Sequence, residues 1–431
     1  MSNPQTQQDV AVIADAIIKK AGPRLVLALP LGLGKANTIA NALYDRVVNN
    51  PDLSLTILTA LTLEKPIYEN DLHRRFLEPV IERLFGDYPE LQYAIDRRNG
   101  TLPANVRVEE FFFLAGSQLN NAVSQQDHIC ANYTHVLQYL LDRGVNILAQ
   151  LVAEDRSNLP SERYSASCNT DLTMDMLAAR RAGKADFLFV GEVHQELPFM
   201  GGDALLDEDE FAWILPALNY SFPLFAPPRL PVSITDYAAA MHVARLIPDG
   251  GTLQIGIGSL GDALTHCLKL RHLHNQHFRD LTRALSASAG PDPVERPAAV
   301  DQTALCNQLA PFEEGLHGLS EMLVEGFLHL YDAGILVREV EGKVLDAAFF
   351  LGSKEFYSRL REMNATLRDK FAMRSIFFTN EVIHESERKR NSRVKARFVN
   401  KAMMVTLNGE VISDGLEDGR VVSGVGGQFD F

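Results

Sequence analysis

The sequence predicts an α/β fold in which mostly parallel sheets are covered by helices. Short apolar runs alternate with helical patterns along the chain, and the continuous apolar run at 25–31 is typical of a strand buried on both faces. A proline-rich stretch at 222–231 interrupts this alternation, which then starts again. We therefore predict two domains, an N-terminal one at 1–225 and a C-terminal one at 232–431.

The first domain opens with a predicted strand, glycine turn, helix and strand, the order of a βαβ unit. Strands are predicted at 25–31, 53–58, 145–152 and 186–190, and helices at 131–143 and 172–182. Such alternation favours a parallel sheet whose connections are helical.

The first turn contains Gly32, Gly34 and Lys35, a combination that invites comparison with phosphate-binding loops. A Walker A loop would require glycine where Leu29 stands and Ser or Thr where Ala36 stands, so that motif is absent. Two interpretations stay open: a structural turn, and a turn that presents backbone N–H groups to a ligand.

The second domain repeats the pattern, with a polar excursion at about 270–314 that we interpret as an insertion. Its predicted helices are 234–246, 263–268 and 355–363, and its predicted strands are 251–257 and 344–351. The first of these strands ends in the glycine loop 256–261, whose backbone N–H groups at a helix start can hold a developing oxyanion. A dinucleotide site would also need an acidic residue about twenty positions later, where the histidine-rich stretch 272–279 stands.

The stretch 314–326 places glycines, a serine and Glu321 just ahead of apolar residues. A carboxylate held between backbone and apolar packing can act as a nucleophile toward a thioester or anhydride carbonyl. The alternative is an ordinary helix start, with Ser320 as the N-cap and Glu321 in the first turn.

Composition limits the partners and the cofactors. A formal net charge of -14 argues against nucleic acid and anionic membrane as partners, and the basic run at 388–397 is interpreted as a solvated loop with phosphate contact as the alternative. The four cysteines are scattered, which predicts free thiols in a reducing compartment. The three histidines at 272–277 have no Cys or carboxylate at helical spacing to complete a ligand set, so we predict no metal site. No secretory signal and no apolar run of ~18 residues is found, so we expect a cytoplasmic protein without membrane contact.

Three stretches, in this order, resemble motifs of the acetyl-CoA hydrolase/transferase family, the class I CoA-transferases. Residues 253–263 (LQIGIGSLGDA) are similar to the family's LQxGIGxxPxA loop. Residues 318–326 (GLSEMLVEG) resemble its catalytic stretch, and 423–431 (SGVGGQFDF) resemble SGxGGQxDF.

The resemblance implies two domains of similar CoA-transferase-type topology with the active site between them. It implies Glu321 as the catalytic nucleophile. The residues it implies for oxyanion stabilisation or CoA binding are Gly256, Gly258, Ser259, Leu260, Gly424, Gly426 and Gly427. Because the chain ends on the last motif, we expect the second domain to be C-terminally truncated and thus incomplete.

The activity implied is transfer of CoA between an acyl-CoA and a small carboxylic acid, or acyl-CoA hydrolysis, through a glutamyl-CoA thioester. The alternative is a catalytically inactive fragment that binds CoA or acyl-CoA. Coenzyme A and acyl-CoA are expected as substrates, with no permanently bound cofactor, and the family resemblance also implies a homo-oligomer.

Overall fold

The structure is a computed structural model that describes residues 5–6, 9–156, 163–217, 220, 222–228, 231–288, 307–381 and 387–430. None of the helices within those ranges is long and apolar enough to cross a membrane.

The first half of the chain forms one sheet. Its described strands are β1 (Gln5–Thr6), β2 (Arg24–Ala28), β3 (Ser54–Thr59), β4 (Val106–Glu110), β5 (Ile147–Glu154), β6 (Arg163–Ser165), β7 (Leu188–Val193), β8 (Leu205–Asp207) and β9 (Trp213–Leu215). The main path, β1-β9-β7-β5-β2-β3-β4, is parallel throughout, and β6 joins β5 and β8 in antiparallel pairs.

Helices connect these strands. They are α1 (Val10–Ala21), α2 (Asn37–Val48), α3 (Asp71–Phe85), α4 (Gln92–Asn99), α5 (Ala122–Gln126), α6 (Val136–Asp142) and α7 (Thr173–Arg181). Burial on both faces explains why β2 and β5 are almost wholly apolar, since a parallel strand covered by helices on each side meets no water.

The second half forms a smaller parallel sheet with strand order β13-β12-β11-β10-β14. Its strands are β10 (Thr252–Ile255), β11 (His317–Leu323), β12 (Leu345–Phe350), β13 (Phe371–Met373) and β14 (Arg397–Val399). An antiparallel pair follows, β15 (Met404–Val405) with β16 (Val411–Ile412).

The described helices of this half are α8 (Ile234–Ala244), α9 (Ser259–Leu273), α10 (Asn275–Ser288), α11 (Glu325–Asp332), α12 (Lys354–Glu362), α13 (Ala365–Arg368), α14 (Ile376–Thr379) and α15 (Glu387–Asn391). The predicted insertion at 270–314 therefore begins inside a helix, and its part at 289–306 lies outside the described residues. The predicted α/β class with mostly parallel sheets is confirmed.

The two sheets meet at the carboxyl end of β12. The backbone N–H of Phe350 donates to the Cys168 carbonyl at 3.0 Å, and Thr170 Oγ1 donates to the carbonyls of Ala348 at 3.0 Å and Arg374 at 2.7 Å. One continuous buried apolar cluster includes Leu148 of the first sheet and Leu323 of the second. These contacts hold the segment that follows β6 against β12. The neighbour of β12 in the sheet is β11, which carries Glu321.

Candidate active site

Glu321 lies in the middle of β11, so the helix-start interpretation of Ser320 and Glu321 is wrong. β11 pairs with β12 over most of its length and with β10 at its first two residues, and Ser320 Oγ donates to the Ile255 carbonyl at 3.1 Å. The next helix, α11, starts only at Glu325. Pairing on both sides makes strand the favourable state here, despite the glycine and serine that resemble a helix start.

The half-buried Glu321 side chain lines a cavity of about 490 Å³. Gly256, Leu260 and Gly261 line it from the loop after β10, and the C-terminal stretch contributes Gly424, Gly426 and Gly427. The three segments singled out from the sequence thus share one cavity, while Gly258 and Ser259 are not on its wall. Their catalytic and binding roles stay predictions.

The loop after β10 requires glycine for two separate reasons. Gly258 has a φ of 123°, which residues with a side chain rarely adopt. A Cβ on Gly261 would lie 2.3 Å from the carbonyl oxygen of Gly256, far inside contact distance. The first turn of α9 can therefore pack directly on the end of β10, which brings Leu260 to the cavity wall.

The C-terminal glycine stretch packs against loops of the first half. The N–H of Phe113 donates to the Ser423 carbonyl at 2.8 Å, and that of Tyr133 donates to the Gly426 carbonyl at 2.8 Å. A Cβ on Gly424 would lie 2.5 Å from the carbonyl oxygen of Phe111. The stretch therefore closes the cavity by joining the two halves of the molecule.

Asn380, which follows α14, supplies a direct partner for Glu321. Its Nδ2 donates to Glu321 Oε2 at 2.8 Å, and its Oδ1 accepts from Thr379 Oγ1 at 2.9 Å. The hydroxyl fixes which way the amide faces, so the NH₂ group points at the carboxylate. Sequence reasoning missed this residue, because an asparagine after a short helix is an ordinary cap.

The interpretation of the basic run as a solvated loop is wrong for two of its members. Lys389 is buried, and its Nζ donates to the carbonyls of Phe377 at 2.7 Å and Glu381 at 2.9 Å. Arg393 donates to the carbonyls of Phe378 at 3.1 Å and Thr379 at 3.0 Å. A helix end leaves carbonyls without intrahelical partners, and here cationic side chains satisfy them.

Burial raises the pKa of Glu321 to about 7, and the nearby carboxylates of Asp430 and Asp171 raise it as well. The hydrogen bond from Asn380 opposes this shift. Burial also raises the pKa of Asp171 to about 6, although the Tyr133 hydroxyl donates to it. The carboxylate of Glu321 is therefore more basic than that of an exposed glutamate.

Asp430 lies in the motif at 423–431, but the sequence analysis assigned this residue no role. Its Oδ1 accepts from Asn132 Nδ2 at 2.9 Å and from Thr134 Oγ1 at 3.3 Å. Burial raises the pKa of Asp430, and hydrogen bonds from Asn132, Asn380 and Thr134 oppose that shift. This carboxylate is thus a second negative charge beside Glu321.

The turn with Gly32, Gly34 and Lys35 serves the structure. The Gly34 N–H donates to Asn169 Oδ1 at 3.0 Å, and the buried Lys35 Nζ donates to the Pro30 carbonyl at 2.6 Å. Burial lowers the pKa of Lys35 to about 7. The interpretation as a ligand-binding turn loses its support, since both the N–H group and the cation already have protein partners. Among the described residues, no group of three His, Cys, Asp or Glu side chains is placed to hold a metal ion.

Comparison with known proteins finds a family match at the C-terminal end of the chain and one similar curated protein. Residues 352–431 match the family described as acetyl-CoA hydrolase/transferase C-terminal domain. A 4-hydroxybutyrate coenzyme A transferase of Clostridium kluyveri is 26% identical over 256 residues, which are 58% of this chain and 46% of that protein. The matched region thus spans less than half the length of this relative.

Two solved structures share the fold. RipA from Yersinia pestis has a TM-score of 0.59 at 17% identity, over 100% of this chain and 77% of that one. A 4-hydroxybutyrate CoA-transferase from Porphyromonas gingivalis has a TM-score of 0.51 at 16% identity, over 88% of this chain and 68% of that one. At such identities the likeness establishes the fold alone.

Proposed function

We propose that this chain is an enzyme of the acetyl-CoA hydrolase/transferase family in which Glu321 attacks an acyl-CoA thioester; the family match at 352–431 and the CoA transferase relative support this. The observation that carries the proposal is the position of Glu321 in one cavity with both glycine stretches, with Asn380 donating to its carboxylate. The relative in Clostridium kluyveri is named as a CoA transferase, which supports the same class of chemistry here.

The first half of the reaction moves CoA from the acyl group to Glu321. The Glu321 carboxylate attacks the thioester carbonyl and forms a new C–O bond, the C–S bond breaks, and CoA leaves as a thiolate while an acyl-glutamyl anhydride remains on the protein. The thiolate then attacks the glutamyl carbonyl of that anhydride, the C–O bond breaks, and the acyl group leaves as a carboxylate. Glu321 is left as a thioester of CoA.

The second half decides between transfer and hydrolysis. An incoming carboxylate reverses the two steps and leaves as a new acyl-CoA, whereas water would release free CoA and restore the glutamate. Each attack passes through a tetrahedral oxyanion, and loss of one donor to such an oxyanion typically costs ~10²–10³ in rate. The backbone N–H groups on the cavity wall, at Gly256 and at Gly426 and Gly427, are the proposed donors.

Substitution of Glu321 tests the proposal. Glu321→Gln and Glu321→Ala remove the nucleophile and should lower CoA transfer by at least about 10³-fold, while the Kd for free CoA stays within about twofold. Glu321→Asp withdraws the carboxylate by one methylene and should lose roughly 10²-fold, because misplacement by ~1 Å costs that much.

The same experiment separates the enzyme from an inactive CoA-binding protein. The wild-type chain should transfer CoA between acyl-CoA and a carboxylate, measured by exchange of labelled acid into the acyl-CoA pool. Wild-type binding of CoA without exchange, or exchange that persists in Glu321→Ala, would contradict the proposal.

A further inference from the structure

A second cavity, of about 1370 Å³, adjoins the cavity that contains Glu321. The two share wall residues at their junction, namely Leu61, Phe112, Ala115, Ile257 and Leu351. A group bound at the Glu321 carboxylate therefore lies next to the second cavity, with only these five residues at the boundary.

The side chains around the second cavity are largely apolar. They include Leu63, Ile67, Leu102, Phe113, Leu114 and Val123. Ile67, Leu114 and Val123 are 59%, 57% and 54% exposed, which is unfavourable for such residues in water. A small-molecule site is typically concave and mostly apolar, with few polar groups.

The charged side chains on this wall are already paired. Arg97 donates to Glu110 at 2.6 Å in an ion pair that is almost fully buried, and Arg98 donates to Glu64. Lys65 Nζ donates to the Gly86 carbonyl at 2.9 Å. Phosphate binding needs cations that are available for charge-assisted hydrogen bonds, so this wall suits hydrocarbon better than the phosphates of CoA.

The polar wall of the Glu321 cavity lies elsewhere. Gln254, Asn400 and Lys401 line the Glu321 cavity but are not on the wall of the second one. Two directions thus lead away from the carboxylate, one lined by amides and a lysine and one lined by hydrocarbon. An acyl-CoA also extends in two directions from its thioester carbonyl, a polar one toward CoA and an apolar one along the acyl chain.

We propose that the second cavity binds the hydrocarbon chain of the acyl group, and that the preferred substrates carry unbranched aliphatic acyl groups longer than acetyl. The inference rests on the proposed function, which places the thioester carbonyl at the Glu321 carboxylate. Each methylene buried contributes roughly fourfold in affinity, from about 0.8 kcal/mol per CH₂.

Binding to the Glu321→Gln protein tests the inference, because turnover cannot disturb the measurement. Calorimetric Kd values for acetyl-, butyryl-, hexanoyl- and octanoyl-CoA should fall by roughly fourfold per added methylene until the cavity is filled. Equal Kd values from acetyl to octanoyl would overturn the inference. Exchange activity of the unsubstituted chain is a separate measurement, so failure of the proposed chemistry would be seen independently.

A substitution at the junction adds a size test. Ala115 is exposed at the junction, and Ala115→Phe in the Glu321→Gln background should remove the gain for hexanoyl- and octanoyl-CoA. It should leave the Kd for acetyl-CoA and free CoA within about twofold. Ala178→Phe, on the exposed face of α7 and outside both cavities, is the matched control and should preserve the whole series. If Ala115→Phe weakened free CoA as much as octanoyl-CoA, the cavity would bind part of CoA and the inference would be wrong.

Discussion

The chemistry of Glu321 depends on opposing influences on one carboxylate. Burial and the charges of Asp430 and Asp171 favour its protonated form, whereas the hydrogen bond from Asn380 favours the anion. A pKa of about 7 leaves a substantial anionic fraction at neutral pH and gives that anion more basicity than an exposed glutamate has. Asn380 and Asp430 therefore act on the same group in opposite directions.

The pH dependence of kcat/KM should show the opposing effects of Asn380 and Asp430 on the pKa of Glu321. The carboxylate attacks only as an anion, so kcat/KM should rise with pH through about 7. Asn380→Ala removes a donor that stabilises the anion, which raises the pKa of Glu321 and should move the rising limb to higher pH by about one unit. Asp430→Asn removes a neighbouring negative charge, lowers the pKa of Glu321, and should move the limb to lower pH.

The two substitutions control for each other, since a general loss of packing would not shift the limbs in opposite directions. The profiles are measured with one acyl-CoA and one acceptor acid across pH 5–9, a range of about two units on either side of the limb. Limbs that move the same way, or that both stay at the wild-type position, would show that these residues do not set the ionisation of Glu321.

At the scale of the element, the end of α14 is held by side chains of α15 and the turn after it. Lys389 and Arg393 between them donate to the carbonyls of Phe377, Phe378, Thr379 and Glu381, which surround Asn380 in the chain. Neither side chain lines the cavity. We therefore expect both to act through Asn380, as positioning residues.

Removal of these donors should reduce catalysis while sparing CoA binding. Lys389→Met or Arg393→Met leaves helix-end carbonyls unsatisfied and loosens Asn380, so we expect kcat to fall by ~10-fold or more, with the Kd for free CoA little changed. The rising pH limb should move upward, as in Asn380→Ala. Lys395→Met is the matched control, because Lys395 donates to the Asp249 carbonyl, far along the chain from α14, and is exposed. A loss of kcat without a shift of the limb would mean a merely structural role.

Individual elements show what could and could not be predicted from the sequence. The apolar runs at 25–31 and 344–351 appear as β2 and β12, because burial on both faces leaves an unmistakable pattern. The interpretation of Ser320 as a helix cap fails, because local residue preferences contain nothing about the two neighbouring strands. The partners of Lys389 and Arg393 were equally hidden, since a run of cations looks the same whether it meets water or carbonyl groups.

At the scale of the whole molecule, the cavity exists only because distant parts of the chain meet. The segment after β6 pairs with the end of β12, and the C-terminal stretch hydrogen-bonds to the loop around Phe113 and to Tyr133. The motif pattern predicted that three stretches of the chain converge, and they line one cavity. It could not predict Asn380, which lies 59 positions from Glu321 in sequence and 2.8 Å from it in space. Nor could it predict the second cavity, whose wall combines residues from unrelated positions.

The most direct measurement of the central claim is to trap the covalent intermediate. Incubation with acyl-CoA followed by borohydride should reduce the glutamyl-CoA thioester, breaking its C–S bond, releasing CoA thiolate and converting the side-chain carboxyl to a primary alcohol. Peptide mass spectrometry should find that change at Glu321 alone, and only when acyl-CoA is present. A modified Glu314 or Glu325, or an unmodified Glu321 in a preparation that exchanges CoA, would contradict the account.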